Sequence, residues 1–409
     1  MTRRRATAAL ALALALGFAL AAGFALAAAA APEGAPWHGD PIRGQALFVS
    51  KRCVGCHAVR GTGGRIGPDL GRTAVKGSFP EIAAGLWNHS VVMHEKMREF
   101  RVAPPTFDGN ELADLIAFLY FLNYFDEPGD PRNGKALFAE KHCIRCHAVG
   151  REGGMIGPRL DAIPRGTPPL RIAQALWNHG PAMTGAMRRM KLDPPRFRGN
   201  EFLDLVAFLR SQGQRAAPRE FRSAGDPEKG RRLFSAKGCM RCHAVFGQGG
   251  GVGPDLGLTE LRGSVTQLAG TMWNHWPAMS SAMQAMGMRP PVFVDDELGD
   301  VFAYLFLARY AGPPSDPARG AAMYTRGGCI RCHGAGGEGG VGPRLSGRMV
   351  GEAREAILQR MWNHAPRMWE RMPAQGITWP RFEPSELADL LSFLAEGLDA
   401  RAPTRARGK

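Results

Sequence analysis

Four stretches of the chain, Asn110–Phe118, Asn200–Phe208, Asp296–Tyr304 and Ser385–Phe393, set Leu, Val, Ile and Phe at the spacing of a helix with one buried face. Each begins with a residue able to cap a helix, followed by Glu, so a capped start is expected there. Ahead of each stretch lies a shorter pattern that opens with Asp40-Pro41, Asp130-Pro131, Asp226-Pro227 or Asp316-Pro317. Asp caps helices well and Pro fits the first helical turn, so a helix is expected to start at each pair. Within it follow a glycine (Gly44, Gly134, Gly230, Gly320) and an aromatic (Phe48, Phe138, Phe234, Tyr324). A glycine inside a helix costs about 1 kcal/mol relative to alanine. Its recurrence predicts that the first and last helices cross there, with Phe118 and its equivalents beside the glycine.

These patterns return four times in 409 residues, which overrides the three domains that length alone suggests. The reading is an all-α chain of four small repeats, at 39–124, 129–214, 225–310 and 315–399, with a basic tail at 400–409. The linkers are short after the first and third repeats, at 121–128 and 309–314, and longer after the second, at 212–224. That spacing predicts two pairs, first with second and third with fourth.

A fifth apolar stretch, Ala6 to about Ala31, follows Arg3, Arg4 and Arg5 and precedes Pro32. It reads as a secretory signal at 1–31 cleaved near Ala29 to Ala31, the alternative being an uncleaved anchor that associates with a membrane. The formal charge is +15, or +12 without the three arginines. Nucleic acid is not expected as a partner, because an exported protein does not meet it. A basic surface would instead steer encounters with acidic redox partners.

All eight cysteines fall in four copies of Cys-x-x-Cys-His: Cys53, Cys56 and His57; Cys143, Cys146 and His147; Cys239, Cys242 and His243; Cys329, Cys332 and His333. This is the attachment signal for a c-type haem: two thiols add to the porphyrin vinyl groups, and the histidine reaches the iron. Zinc would need a second ligand pair per site. Four haem c groups are therefore expected. They bring eight propionates that offset much of the positive charge, and each supplies apolar volume that a repeat of this size lacks.

A glycine-rich loop follows each motif and carries Pro68, Pro158, Pro254 or Pro343. The carbonyl of that proline is the expected acceptor for the second ring nitrogen of the motif histidine. Next comes Trp-Asn-His-x-x-x-Met-x-x-x-Met, starting at Trp87, Trp177, Trp273 and Trp362. A thioether suits the sixth position of haem iron. The later set, Met97, Met187, Met283 and Met372, is expected to ligate, being nearer the Pro-Pro-x-Phe loop. The earlier set is Met93, Met183, Met279 and Met368, and His89, His179, His275 and His364 are a third choice. If they do not ligate, these histidines, with Trp and Asn, are read as packing or propionate-binding groups. Met190, Met286 and Met288 are read as core, and His38, His94 and His142 as surface residues.

With Gly-x-x-x-aromatic, Cys-x-x-Cys-His, Gly-Pro, a later Met and an aromatic-bearing last helix, each repeat resembles a class I (mitochondrial-type) cytochrome c domain. The resemblance covers about residues 39 to 399. It implies a small all-α fold around one haem, with His57, His147, His243 and His333 as proximal ligands and a distal Met. The Trp-Asn-His helix replaces the usual Met-Pro-x-aromatic loop. The implied function is single-electron transfer between periplasmic or membrane-bound redox proteins. The alternatives are a haem enzyme, either peroxidase-like or acting on sulfur or nitrogen compounds, and the cytochrome subunit of a respiratory complex.

Overall fold

A computed structural model describes residues 39–72, 77–122, 124, 126, 128–213, 225–259 and 263–398. The N-terminal apolar run, His38 and the basic tail lie outside the described residues. No helix among the described residues is long and apolar enough to cross a membrane.

One succession of elements recurs four times. The opening helices are α1 (Pro41–Ser50), α4 (Pro131–Glu140), α7 (Pro227–Ala236) and α10 (Pro317–Arg326). Long helices follow as α2 (Phe79–Glu99), α5 (Pro169–Arg189), α8 (Val265–Ala285) and α12 (Arg354–Arg371). The closing helices are α3 (Glu111–Phe121), α6 (Glu201–Gln212), α9 (Glu297–Ala311) and α13 (Pro384–Glu396). In three repeats the segment after the cysteines folds back as a two-residue antiparallel pair: β1 (Ala58–Val59) with β2 (Thr62–Gly63), β3 (Ala148–Val149) with β4 (Glu152–Gly153), and β5 (Ala244–Val245) with β6 (Gln248–Gly249). In the fourth repeat, whose loop is one residue shorter, the motif itself forms α11 (Cys329–His333).

The opening and closing helices cross at the recurring glycine. A methyl group added at Gly44 would stand 2.0 Å from the Asp114 carbonyl oxygen and 2.7 Å from Cβ of Phe118. Gly134, Gly230 and Gly320 meet Asp204, Asp300 and Asp389 in the same way. Beside each crossing the aromatics pack at 5.6 to 5.8 Å between centroids, Phe48 on Phe118 and Tyr324 on Phe393 among them. The capping aspartates act as expected, with the Asp40 carboxylate accepting from the backbone of Ile42 and Arg43. The closing helices start differently. Asn110 makes no side-chain cap, and Ser385 lies inside a helix that begins at Pro384 and is capped by Glu383. At the first closing helix the Glu111 carboxylate instead accepts from Asp108 N–H and pairs with Lys51.

The repeats do not pair as their linkers suggest. Trp87 Nε1 donates to the Pro380 carbonyl at 2.9 Å, and Trp362 donates to Pro105 at 3.0 Å. The Asn88 amide both donates to and accepts from the backbone of Phe382, and Asn363 does the same with Phe107. The first repeat is thus clamped reciprocally to the fourth. The second is clamped to the third by Trp177 on Pro291, Trp273 on Pro195, Asn178 on Phe293 and Asn274 on Phe197. Linker length limits reach and does not choose the partner. Between the pairs, Tyr120 Oη donates to the Phe306 carbonyl at 2.6 Å, and Tyr310 lies between Phe79 and Tyr120.

Candidate cofactor site

Each Cys-x-x-Cys turn is entered through a left-handed residue: Arg52 at φ 63°, His142 at 63°, Gly238 at 81° and Gly328 at 77°. The turn then closes with His57 N–H on the Cys53 carbonyl at 2.9 Å, repeated at His147 and His243. All eight cysteines are half-buried and unpaired. Burial pushes the first thiol of each pair, Cys53, Cys143, Cys239 and Cys329, up to about 11. A metal-binding cysteine needs the thiolate, so this environment suits a neutral thioether. Among the described residues no three His, Cys, Asp or Glu side chains converge to hold a bare ion.

The motif histidine is oriented through its Nδ1. It lies 3.0 Å from the Pro68 carbonyl for His57, 2.8 Å from Pro158 for His147, 3.0 Å from Pro254 for His243 and 2.9 Å from Pro343 for His333. That contact leaves Nε2 free to bind a metal. The residue before each of these prolines is a glycine packed flat on the ring: a methyl at Gly67 would stand 2.4 Å from Cε1 of His57. Gly157, Gly253 and Gly342 occupy the same place against His147, His243 and His333. Four buttressed imidazoles, each beside a pair of cysteines, fit the donor set of a covalently held haem.

The long helix forms the opposite wall. The His89 ring centroid stands 6.5 Å from that of His57, and His364 stands 6.2 Å from His333. Burial first, and the facing imidazole second, hold His89 and His364 below the ordinary histidine value. In the middle repeats the Nδ1 atoms of His179 and His275 lie 2.8 Å from the carbonyls of Ala175 and Thr271. Met97, Met187 and Met372 are half-buried, and Met283 is buried. In the fourth repeat a cavity of about 890 Å³ is lined by Cys329, Cys332, His333, His364, Met368 and Met372, within the range of about 300–1,000 Å³ usual for ligand sites. Its wall also includes Trp87 of the first repeat, which stacks on Trp379 at 4.6 Å. Trp87 of the first repeat therefore helps to close the fourth repeat's crevice.

Three features run against or beyond the sequence reading. His94 is 3% exposed, packed 5.8 Å from the Trp362 ring, rather than a surface residue. Met190 and Met286, read as core, are 40% and 50% exposed. A buried carboxylate in every closing helix, Asp114, Asp204, Asp300 or Asp389, escaped notice. Each accepts from the backbone N–H of the Asp that opens its repeat, at 2.6 to 2.9 Å. Each also meets a side chain of the opening helix: Arg43, Asn133, Lys229 or Arg319. The recurrence of Asp at one offset after Asn110 and its equivalents was the available signal.

The family model described as Cytochrome c matches residues 42–122, 131–213 and 227–306. The model described as Cytochrome C oxidase, cbb3-type, subunit III matches residues 315–394. Neither the curated proteins nor the solved structures yield a match.

Proposed function

Because the chain belongs to the cytochrome c family, we propose that it is an exported carrier that passes single electrons through four covalent haems, one in each of the repeats bounded at 39–124, 129–214, 225–310 and 315–399. Family membership makes it a haem-binding electron-transfer protein. Cys53, Cys56, Cys143, Cys146, Cys239, Cys242, Cys329 and Cys332 would hold the porphyrins as thioethers. His57, His147, His243 and His333 would bind the irons through Nε2. The sixth ligand would come from the Trp-Asn-His-x-x-x-Met-x-x-x-Met helix, on which Met97, Met187, Met283 and Met372 are the candidates by sequence.

The observation that carries this reading is the fourfold contact of a motif histidine Nδ1 with a proline carbonyl. It fixes an imidazole beside each cysteine pair in the tautomer that binds metal. When bound, the haem supplies a one-electron couple. The protein positions the group, shields it from water and sets its potential through the axial ligands. A sixth ligand from the long helix would leave the iron no open position, which substrate chemistry needs and electron transfer does not. Partners would be periplasmic or membrane-bound redox proteins. A second reading, a subunit of a respiratory complex, is favoured by the match of residues 315–394 to the cbb3-type subunit III model. Pyridine haemochrome absorbance and intact mass are expected to give four haems per mature chain with the N-terminal stretch removed. Three or fewer haems would contradict the four-haem reading.

A further inference from the structure

We propose that His89 in the first repeat and His364 in the fourth, rather than the methionines further along the same helices, are the distal axial ligands of their own crevices. The inference rests on the haem reading above and names the ligand at that same site. The two imidazole pairs stand 6.5 and 6.2 Å apart between centroids, with their planes at 66° and 60°. Two imidazoles bound through nitrogen to opposite sides of one metal, each at about 2 Å, hold their centroids about 6 Å apart. The interplanar angle is free, since each ring can rotate about its metal–nitrogen axis.

Reach separates the candidates along α2. At about 1.5 Å of rise per residue, Met97 lies about 12 Å further along the axis than His89. The residue that faces His57 and the later methionine cannot both meet one point. The turn that carries the histidine is anchored across the pair: Trp87 and Asn88 are bonded to Pro380 and Phe382, and Trp362 and Asn363 to Pro105 and Phe107. These Trp and Asn side chains are positioning residues that tie the turn carrying the imidazole to the paired repeat. His179 and His275 show the matching preparation, with Nδ1 on a carbonyl and Nε2 free. Met368 and Met372 then serve as apolar wall. Paired imidazoles hold iron at a lower potential than a histidine–methionine pair does, so the haems of the first and fourth repeats would sit below the value that methionine ligation gives.

The full-length holoprotein tests this. Haemochrome absorbance is measured first, because a wild type without covalent haem overturns the haem reading itself, whatever the ligand. Ferric electron paramagnetic resonance of H89A/H364A is then expected to show two of the four haems turned from low to high spin. Those two should bind carbon monoxide on reduction and recover low spin with added imidazole. M97A/M372A should keep the wild-type spin state. If the methionine variant opens two haems while the histidine variant stays low-spin, the proposal is overturned. Should the alanine variant misfold, H89M/H364M decides. Low-spin haems with a gained far-red sulfur-to-iron band support histidine ligation, and an unchanged spectrum overturns it.

Discussion

His94 shows how far a single residue's surroundings can depart from its neighbours in sequence. Glu95 and Lys96 follow it, and the solvated face they suggest is real, but Trp362 from a distant part of the chain covers the imidazole. Neither of its ring nitrogens has a hydrogen-bond partner among the described residues. Burial lowers its pKa below the ordinary 6.5, so the folded state resists a proton that the unfolded chain accepts. The stability this gives is present above about pH 6.5 and is lost as pH falls through the lower folded value. His94→Phe keeps the ring volume without the titration and is expected to lose less melting temperature between pH 7 and pH 5 than the wild type does. An equal loss would show that His94 contributes nothing to acid sensitivity. Asp114 was opaque for the converse reason: a carboxylate in a helix reads as solvated until the backbone N–H of Asp40 is seen to bind it.

At the scale of elements the sequence is far more legible, because caps and periodicity are local. The Asp-Pro starts, the buried faces of the closing helices and the glycine crossing all follow from residues within one repeat. The crossing makes a sharp prediction. A methyl at Gly44 meets the backbone of Asp114 at 2.0 Å, and neither helix can retreat without unpacking Phe48 from Phe118. Gly44→Ala is expected to cost about 3 kcal/mol in denaturant unfolding through overpacking. Gly85 lies in α2 with nothing within 4 Å of an added methyl, so Gly85→Ala should stabilise by about 1 kcal/mol through helix propensity. Similar effects at the two sites would remove the crossing as the reason for the glycine. At the first closing helix Asn110 holds the capping position without a side-chain bond, and Glu111 pairs with Lys51 at the end of the opening helix, a contact that no pattern within the closing helix reveals.

For the whole molecule, local pattern is uninformative about which repeat meets which. Four similar Trp-Asn pairs face four similar Pro-x-Phe loops, and the choice is made by shape. Gly180 of the second repeat receives the Trp276 ring of the third, to which an added methyl would stand 3.1 Å. Trp276 also packs edge-on against Trp177 at 4.9 Å. In the outer pair, Asn88→Ala with Asn363→Ala leaves the N–H and carbonyl of Phe382 and Phe107 without partners. Each side should lose about 2 kcal/mol. Hydrogen exchange is expected to speed up along α2 and α12 while α5 and α8 keep their protection. Uniform acceleration in all four would show that the repeats do not act as two pairs.

Nested pairing also bears on how the chain is made. Synthesis runs from the N-terminus, and domains generally fold as they emerge. The second and third repeats can clasp as soon as the third is complete. The first must wait until Pro380 and Phe382, close to the end of the chain, have been added. Through that interval Trp87 stays uncovered, and a product that stops early never covers it. A molecule lacking the stretch around Pro380 and Phe382 would leave the Trp87 indole without its hydrogen-bond acceptor and its aromatic cover.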